Sequence, residues 1–342
     1  MNSTISVIIP VYNGVQVILH CLDAVFASSY KDYEVIVVDD GSTDGSGELA
    51  AKRPCHVLQM PRKSGPSAAR NHGAGTASGD ILFFLDADIT IEPDTLAKIA
   101  QTFDDRPEIS GLFCSYQHDT PAHNFFSQYK NLIHHYTHQT SHEIATTFCG
   151  GFGAIKRSVF ARMGGFNVDY LYLEDIEMGY RLNQAGHLIM LNKAIQVTHL
   201  KRYTFVSLIR SDVHGRAIPW TRLMLSKHKF QNDLNTKTNN VFSVPLAFLL
   251  PMTLAAALYT PYALVVFAAL ALAFVSLNTG FYRYVRRYRS LAFMLQTIIM
   301  NWFTYIYSGY GLVAGVVIFL RERIGELLSH RARQSHLVDT EH

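Results

Sequence analysis

Two carboxylates, Asp86 and Asp88, stand two residues apart at the end of the apolar run Ile81-Leu82-Phe83-Phe84-Leu85. An unbroken apolar run of this length reads as a strand buried on both faces. Side chains alternate along a strand, so both acids would leave its end on the same side. Paired carboxylates at the mouth of a buried strand suit a hard divalent cation such as Mg2+ or Mn2+, which takes oxygen ligands and keeps places for phosphate. An isolated Asp-x-Asp is more often a helix cap or a solvated turn, so the surroundings decide.

Other polar clusters lie where chemistry could use them. Tyr12-Asn13 and Asp39-Asp40 each follow an apolar run. Cys149-Gly150-Gly151-Phe152-Gly153 is a glycine-rich turn, where backbone can approach a ligand closely or simply turn tightly. Glu174-Asp175 opens a helical pattern, a place that the helix dipole alone favours for acids. His199 stands at another strand end. His134, His138 and His142 fall four apart on an expected helix face. They suit a shared metal ion, or a polar, half-buried helix with no carboxylate partner.

These residues need elements to hold them. Strands are expected at 6–10, 33–38, 57–60, 81–85 and 194–198. Helices are expected at 16–28, 46–51, 67–76, 158–163 and 174–184, with another opened by Glu92-Pro93-Asp94. Strands alternating with helices predict an α/β layer on a mostly parallel sheet. Ligands of such sheets sit beyond the carboxyl ends of the strands. Tyr12-Asn13, Asp39-Asp40 and Asp86/Asp88 occupy three of those ends.

Composition divides the chain. Of 342 residues 49% are hydrophobic and 17% charged, and the long apolar tracts begin at Val241. A net charge of +3 carries no nucleic-acid signature. Cys21, Cys55, Cys114 and Cys149 are scattered, which predicts thiols in a reducing compartment rather than disulfides or a zinc site. The start of the chain lacks a basic segment followed by a cleavable apolar one, so no signal peptide is expected and the soluble part should fold in the cytosol.

Residues 203–230 mix basic, aromatic and aliphatic side chains and read as one or two interfacial amphipathic helices. A polar linker follows at 231–240. Tracts 241–259 and 261–277 are each close to the ~20 residues that a bilayer needs. Tract 291–320 would measure about 45 Å as one helix, against a ~30 Å hydrocarbon core. Arg283, Arg286, Arg287 and Arg289 precede it, and Arg321, Arg323, Arg331 and Arg333 follow it. The positive-inside rule puts both clusters in the cytosol, which requires an even number of crossings between them. A break at Ser308-Gly309-Tyr310-Gly311 would allow this, and a single tilted span is the alternative. The expected division is a catalytic domain at 1–203, interfacial helices and linker at 204–240, membrane spans at 241–321 and a basic cytosolic tail at 322–342.

Taken together, the motifs over residues 4–200 resemble family 2 inverting glycosyltransferases of the GT-A fold, a Rossmann-like nucleotide-diphospho-sugar transferase architecture. The matching segments are Ser6-Val7-Ile8-Ile9-Pro10-Val11-Tyr12-Asn13, Val38-Asp39-Asp40-Gly41-Ser42-Thr43-Asp44, Gly65-Pro66-Ser67-Ala68-Ala69-Arg70-Asn71, Asp86-Ala87-Asp88, Glu174-Asp175 and His199. The resemblance implies a nucleotide-sugar donor, with a UDP-sugar favoured and guanine or thymine donors known on the same architecture. Pro10, Tyr12, Asp39, Asp40 and Arg70 would form the donor side. Asp88 and His199 would ligate Mg2+ or Mn2+, with Asp86 facing the ribose or the metal shell. Gly150, Gly151 and Phe152 would line the acceptor side, with Arg216 and Trp220 contributing from the interfacial helix. Asp175, beside Glu174, would be the general base. Membrane tracts point to a lipid-linked acceptor (a polyprenyl phosphate, a polyprenyl-diphosphate sugar or a glycolipid) at the cytosolic face of the inner membrane, with the chain crossing it several times.

Two other readings compete. Processive polysaccharide synthases usually carry Gln-x-x-Arg-Trp on an interfacial helix. Here Arg216 and Trp220 are separated and the glutamine is missing from His214-Gly215-Arg216-Ala217-Ile218-Pro219-Trp220. A non-catalytic membrane partner protein would be expected to have lost some of the acids, and none is lost.

Overall fold

The computed structural model describes residues 3–170, 172–227 and 238–339, which divide into two units, one running to Thr204 and the other starting at Phe205. The linker expected at 231–240 lies outside the described residues as far as 237, as do the last three residues of the expected tail.

The first unit opens with β1 (Ile5–Val11), α1 (Ile18–Phe26), β2 (Tyr33–Asp39), α2 (Ser46–Ala50), β3 (His56–Gln59), α3 (Pro66–Thr76) and β4 (Ile81–Leu85). β1 and β2 are Val- and Ile-rich and β4 is Leu- and Phe-rich, runs buried on both faces as strands covered by helices must be. β1 lies parallel to both β2 and β4, with Val11 beside Asp39 and Ile8 beside Phe84. Parallel pairing brings the carboxyl ends of all three strands, and the polar residues after them, to one edge.

The unit continues with β5 (Ile89–Ile91), α4 (Thr95–Asp105), β6 (Ile109–Tyr116), α5 (Phe125–Gln139), β7 (Ile144–Ala145), β8 (Phe152–Lys156), α6 (Arg157–Arg162), α7 (Glu174–Gln184) and β9 (Leu188–His199). Sheet order is β3-β2-β1-β4-β8-β6-β9-β5, with β7 on β9. The sheet is mixed, which corrects the expectation of a mostly parallel one. β8 runs antiparallel to both β4 and β6, and β9 is antiparallel to β5 and β7. β8 starts just after the Gly150-Gly151 turn and runs back along β4 with Phe152 beside Leu85. β9 is also longer than the strand expected at 194–198. Its pairing with β6 jumps from Leu191 to Gln196, and this bulge masks the alternation.

In the second unit, α8 (Phe205–Asp212), a π-turn (Val213–Ala217) and α9 (Ile218–Lys227) follow one another directly. Then come α10 (Thr238–Ala256), α11 (Tyr262–Tyr288) and α12 (Leu291–Asp339). Among the described residues three helices are long and apolar enough to cross a membrane, over Asn239–Ala256, Tyr262–Tyr288 and Leu291–Gly325. The break considered at 308–311 does not occur, and α12 runs through it. The glycines serve contact instead. A Cβ on Gly311 would lie 2.5 Å from the Ala217 Cβ, and one on Gly315 would lie 2.7 Å from the Thr221 Cβ. Small residues four apart on both helices let the backbones approach closely. A buried polar set also ties the helices together. The Asn278 amide donates to Ser243 Oγ at 3.0 Å, and its Oδ1 accepts from Asn301 at 3.2 Å and from the Tyr305 hydroxyl at 2.8 Å.

Candidate active site

The β1 and β2 ends are stitched to each other. Asn13 takes a left-handed backbone conformation (φ 50°), which Asn tolerates better than most residues. Its N–H donates to Ser42 Oγ at 3.0 Å, and its Oδ1 accepts the Thr43 N–H at 2.9 Å. Gly14 N–H donates to Ser46 Oγ at 2.8 Å, and Val15 N–H to Asp44 at 3.0 Å. Asp39 accepts the Ser42 N–H at 2.9 Å. Asp40 is buried and accepts the N–H groups of Ser64 and Gly65 at 2.7 and 2.8 Å, fixing the loop before α3. Both acids of the Asp39-Asp40 pair therefore hold backbone. Tyr12 is exposed beside them, with Lys63 Nζ 4.1 Å from its ring centre. Pro10 closes β1 next to Val38.

A second group forms around Arg70 of α3. Its buried guanidinium donates to Asp86 Oδ1 at 2.7 Å and to Glu174 Oε1 at 2.6 Å. Asp86 is two-fifths exposed at its side chain and Glu174 one-tenth, so the ion pair runs from buried α7 to the open edge of the sheet. Asp175, next on α7, accepts the Gly150 N–H at 3.1 Å. A Cβ on Gly151 would sit 2.6 Å from Asp86 Oδ2, so only glycine fits against this carboxylate. Burial raises the Glu174 carboxyl above its ordinary value, and the charge of Asp175 adds to this while Arg70 restrains it. Burial also raises Asp175, against the Gly150 hydrogen bond and the charge of Arg70.

Asp88 belongs elsewhere. β4 stops at Leu85, and residues 86–88 turn, with Ile89 N–H donating to Asp86 C=O at 3.0 Å. Strand alternation therefore does not apply to these two acids, and their placement follows from the turn instead. Asp88 Oδ2 lies 3.4 Å from His199 Nε2 across the β5–β9 pairing. Burial alone would raise the Asp88 carboxyl, but the His199 hydrogen bond and the charges of His199 and Lys201 hold it below its ordinary value.

This pair fits a divalent cation. One carboxylate oxygen and one imidazole nitrogen leave most of the sphere of Mg2+ or Mn2+ to phosphate and water. Among the described residues no group of three or more His, Cys, Asp or Glu side chains is placed to hold an ion. The donor set suits an ion arriving with a diphosphate rather than a protein cage. Asp86 pairs with Arg70 instead.

The remaining expected residues fall as follows. Phe152 is buried, with its ring 4.6 Å from that of Tyr116. It supports the edge from behind. Arg216 and Trp220 lie in the second unit, in the π-turn and on α9. α5 ends at Gln139, so His142 does not share a helix face with His134 and His138. Those two rings pack on Tyr116 at 5.3 and 5.7 Å.

Sequence reasoning overlooked the bracing residues. Asn71 grips the backbone of Phe166 from both sides, accepting its N–H at 2.8 Å and donating to its C=O at 2.7 Å. Arg181 donates to the carbonyls of Met163 and Gly165, at 2.5 and 2.7 Å. The loop so held leads to Leu173, whose φ of 62° starts α7 and presents Glu174 and Asp175. Asn71 follows Arg70 within a matched motif, and that adjacency was the one signal available.

Residues 6–164 match the model of Glycosyl transferase family 2. The chain carries a family 2 glycosyltransferase domain. It is 34% identical over 131 residues to glycosyltransferase GlyA of Streptococcus pneumoniae, covering 37% of this chain and 17% of that one. To glycosyltransferase GlyG of the same organism it is 28% identical over 131 residues, covering 37% and 44%. To glycosyltransferase AglE of Haloferax volcanii it is 46% identical over 112 residues, covering 30% and 37%. The chain thus spans less than half the length of these relatives. The mannosyltransferase PcManGT from Pyrobaculum calidifontis, solved with GDP-Man and Mn2+, superposes with a TM-score of 0.59 at 19% identity, covering 94% of this chain and 88% of that one. Residues 1–349 of S. aureus TarS, solved with UDP-GlcNAc, give 0.51 at 15% identity, covering 94% and 92%. These likenesses show the fold, and the family 2 domain has the mixed α/β sheet typical of GT-A.

Proposed function

We propose that this protein is a membrane-bound inverting glycosyltransferase that moves a sugar from a nucleotide-sugar to a lipid-linked acceptor at the cytosolic face. One observation carries the reading. A carboxylate–imidazole pair fit for a cation, Asp88 with His199, and a buried acid with a raised pKa, Asp175, occur in one unit, where the Asp86–Arg70–Glu174 ion pairs tie the end of β4 to the helix of that acid.

The donor would lie along the ends of β1, β2 and β4, with its base at Tyr12 and its diphosphate at Asp88 and His199. A bound divalent cation would neutralise charge on the departing diphosphate. Asp175 would take the proton of an acceptor hydroxyl as that oxygen bonds to the anomeric carbon, and the carbon–oxygen bond to the diphosphate breaks. A raised pKa suits it to this role near neutral pH. A single displacement inverts the anomeric centre. With a phosphate acceptor, whose oxygen is already ionised, Asp175 would mainly position it. Arg70 holds Asp86 and Glu174 on either side. The three long apolar helices support an acceptor held in lipid. The neighbours solved with GDP-Man and UDP-GlcNAc make both donor classes worth supplying.

The test is nucleoside-diphosphate release by the full chain in nanodiscs with Mn2+, a panel of sugar nucleotides and an extract of membrane lipids. Lipid-stimulated release is expected with at least one donor. Asp175→Asn should lower it by roughly 10²–10⁴-fold for a hydroxyl acceptor. Release that survives Asp88→Ala and Asp175→Asn together would overturn the assignment.

A further inference from the structure

Four contacts pin the segment after β9. Leu200 N–H donates to Asp88 C=O at 2.8 Å, and Thr120 Oγ1 donates to His199 C=O at 3.0 Å. Tyr203 N–H donates to Ser127 Oγ at 2.7 Å, and Tyr203 C=O accepts from the Asn124 amide at 2.6 Å. Lys201 is held between these anchors. Its side chain is exposed, and Nζ lies 5.2 Å from the ring centre of the buried Tyr203. The backbone that carries it is hydrogen-bonded to Asp88 through Leu200, and it follows His199 by two residues, which places it beside the Asp88–His199 pair. Arg70, the cation on the other side of the edge, is already committed to Asp86 and Glu174. Among the described residues Lys201 forms no ion pair with a carboxylate, and it projects from a rigid stem.

We propose that Lys201 is a diphosphate-binding residue of the donor site, a second positive charge beside the Asp88–His199 pair that takes the terminal phosphate of the nucleoside diphosphate. This rests on the glycosyltransferase reading and adds a residue to it. During transfer the anomeric carbon–oxygen bond breaks and its electron pair stays on the terminal phosphate oxygen. The Lys201 ammonium offsets that added negative charge through a hydrogen bond, with no proton transferred. A compact, rotatable ammonium suits a phosphate contact that strengthens as charge builds. The short pinned segment keeps the ordering cost low, since only the lysine side chain must be immobilised.

Calorimetric titration of the full chain in detergent with Mn2+ tests this, using UDP, GDP, UMP and GMP as the probes. For whichever base the wild type prefers, Lys201→Met should weaken diphosphate binding by about tenfold or more. Monophosphate binding should change by less than about twofold, because that ligand lacks the terminal phosphate. Arg202→Met removes the same charge one residue away and should leave both affinities at wild-type values. Lys201→Arg should keep the preference for the diphosphate. An unchanged diphosphate affinity in Lys201→Met, an equal loss for both ligands, or an equal loss in Arg202→Met would each overturn the assignment. A wild type that binds no nucleoside diphosphate would instead overturn the glycosyltransferase reading beneath it.

Discussion

Asp86 and Asp88 are two residues apart and live in unlike neighbourhoods. Asp86 joins a closed network in which Arg70 answers two carboxylates, and one end of it is sealed under α7. Asp88 faces a single imidazole at an open edge. The first arrangement is made for rigidity, because every charge in it depends on the others. The second is less closed, and under the proposed function it would be completed by a cation and a phosphate. A shared motif can thus divide its labour between holding the site and doing its chemistry.

The largest effect that separates the two regions is on stability. Arg70→Met strands buried Glu174 and should cost about 3–5 kcal/mol, measured by chemical unfolding. Asp88→Ala breaks only a half-open contact and should cost less than about 1 kcal/mol. It should instead weaken Mn2+-dependent donor binding by at least about tenfold. If both substitutions destabilise equally, the division of labour fails.

Gly151→Ala sharpens the contrast. Its Cβ would push on Asp86 Oδ2, already held by Arg70, at a cost of about 1–3 kcal/mol. The Asp88–His199 pair lies outside this contact, so Mn2+ affinity should stay at its wild-type value while stability falls.

The smallest effect is a pair of opposite pH dependences. The Asp175 carboxyl is raised by burial, so its ionised form disfavours the folded state, and that penalty fades as pH falls through the raised pKa. Asp175→Asn should therefore raise Tm at pH 7, with the gap to wild type closing on acidification. The Asp88 carboxyl is held low, so it contributes stability above its unfolded pKa of about 4 that is lost as pH falls through the lower folded value. Asp88→Asn should lower Tm slightly at pH 7 and match wild type in acid. Thermal melts across pH read both signs.

The polar edge formed by the ends of β1, β2 and β4 was legible in the residues alone. β1, β2 and β4 are apolar runs that end in polar turns, and parallel pairing brings those ends together. Local patterns could also say that Glu174-Asp175 starts a helix. They could not say that Arg70 reaches Glu174, because that contact joins positions 104 residues apart. The mixed sheet was hidden for a similar reason, since β8 pairs with β4 and β6, strands distant in sequence, and the bulge in β9 hides its alternation. Gly309 and Gly311 misled differently. Glycine weakens an isolated helix, yet in α12 it allows close contact with a neighbour. The identity of the residue was informative, and its purpose depended on what lay opposite.

The grip of Asn71 on Phe166 has a kinetic side. It joins positions 95 residues apart through one amide that mimics a strand edge. Contacts of such separation require a long loop to close before they are rewarded, so this one should form late in folding. Once formed, it should give the Phe166 N–H slow hydrogen exchange that its irregular backbone would not suggest. In Asn71→Ala that amide should exchange early while amides of β1 and β2 stay protected. The helix that carries Glu174 and Asp175 would then lose its anchor without the sheet beneath it noticing.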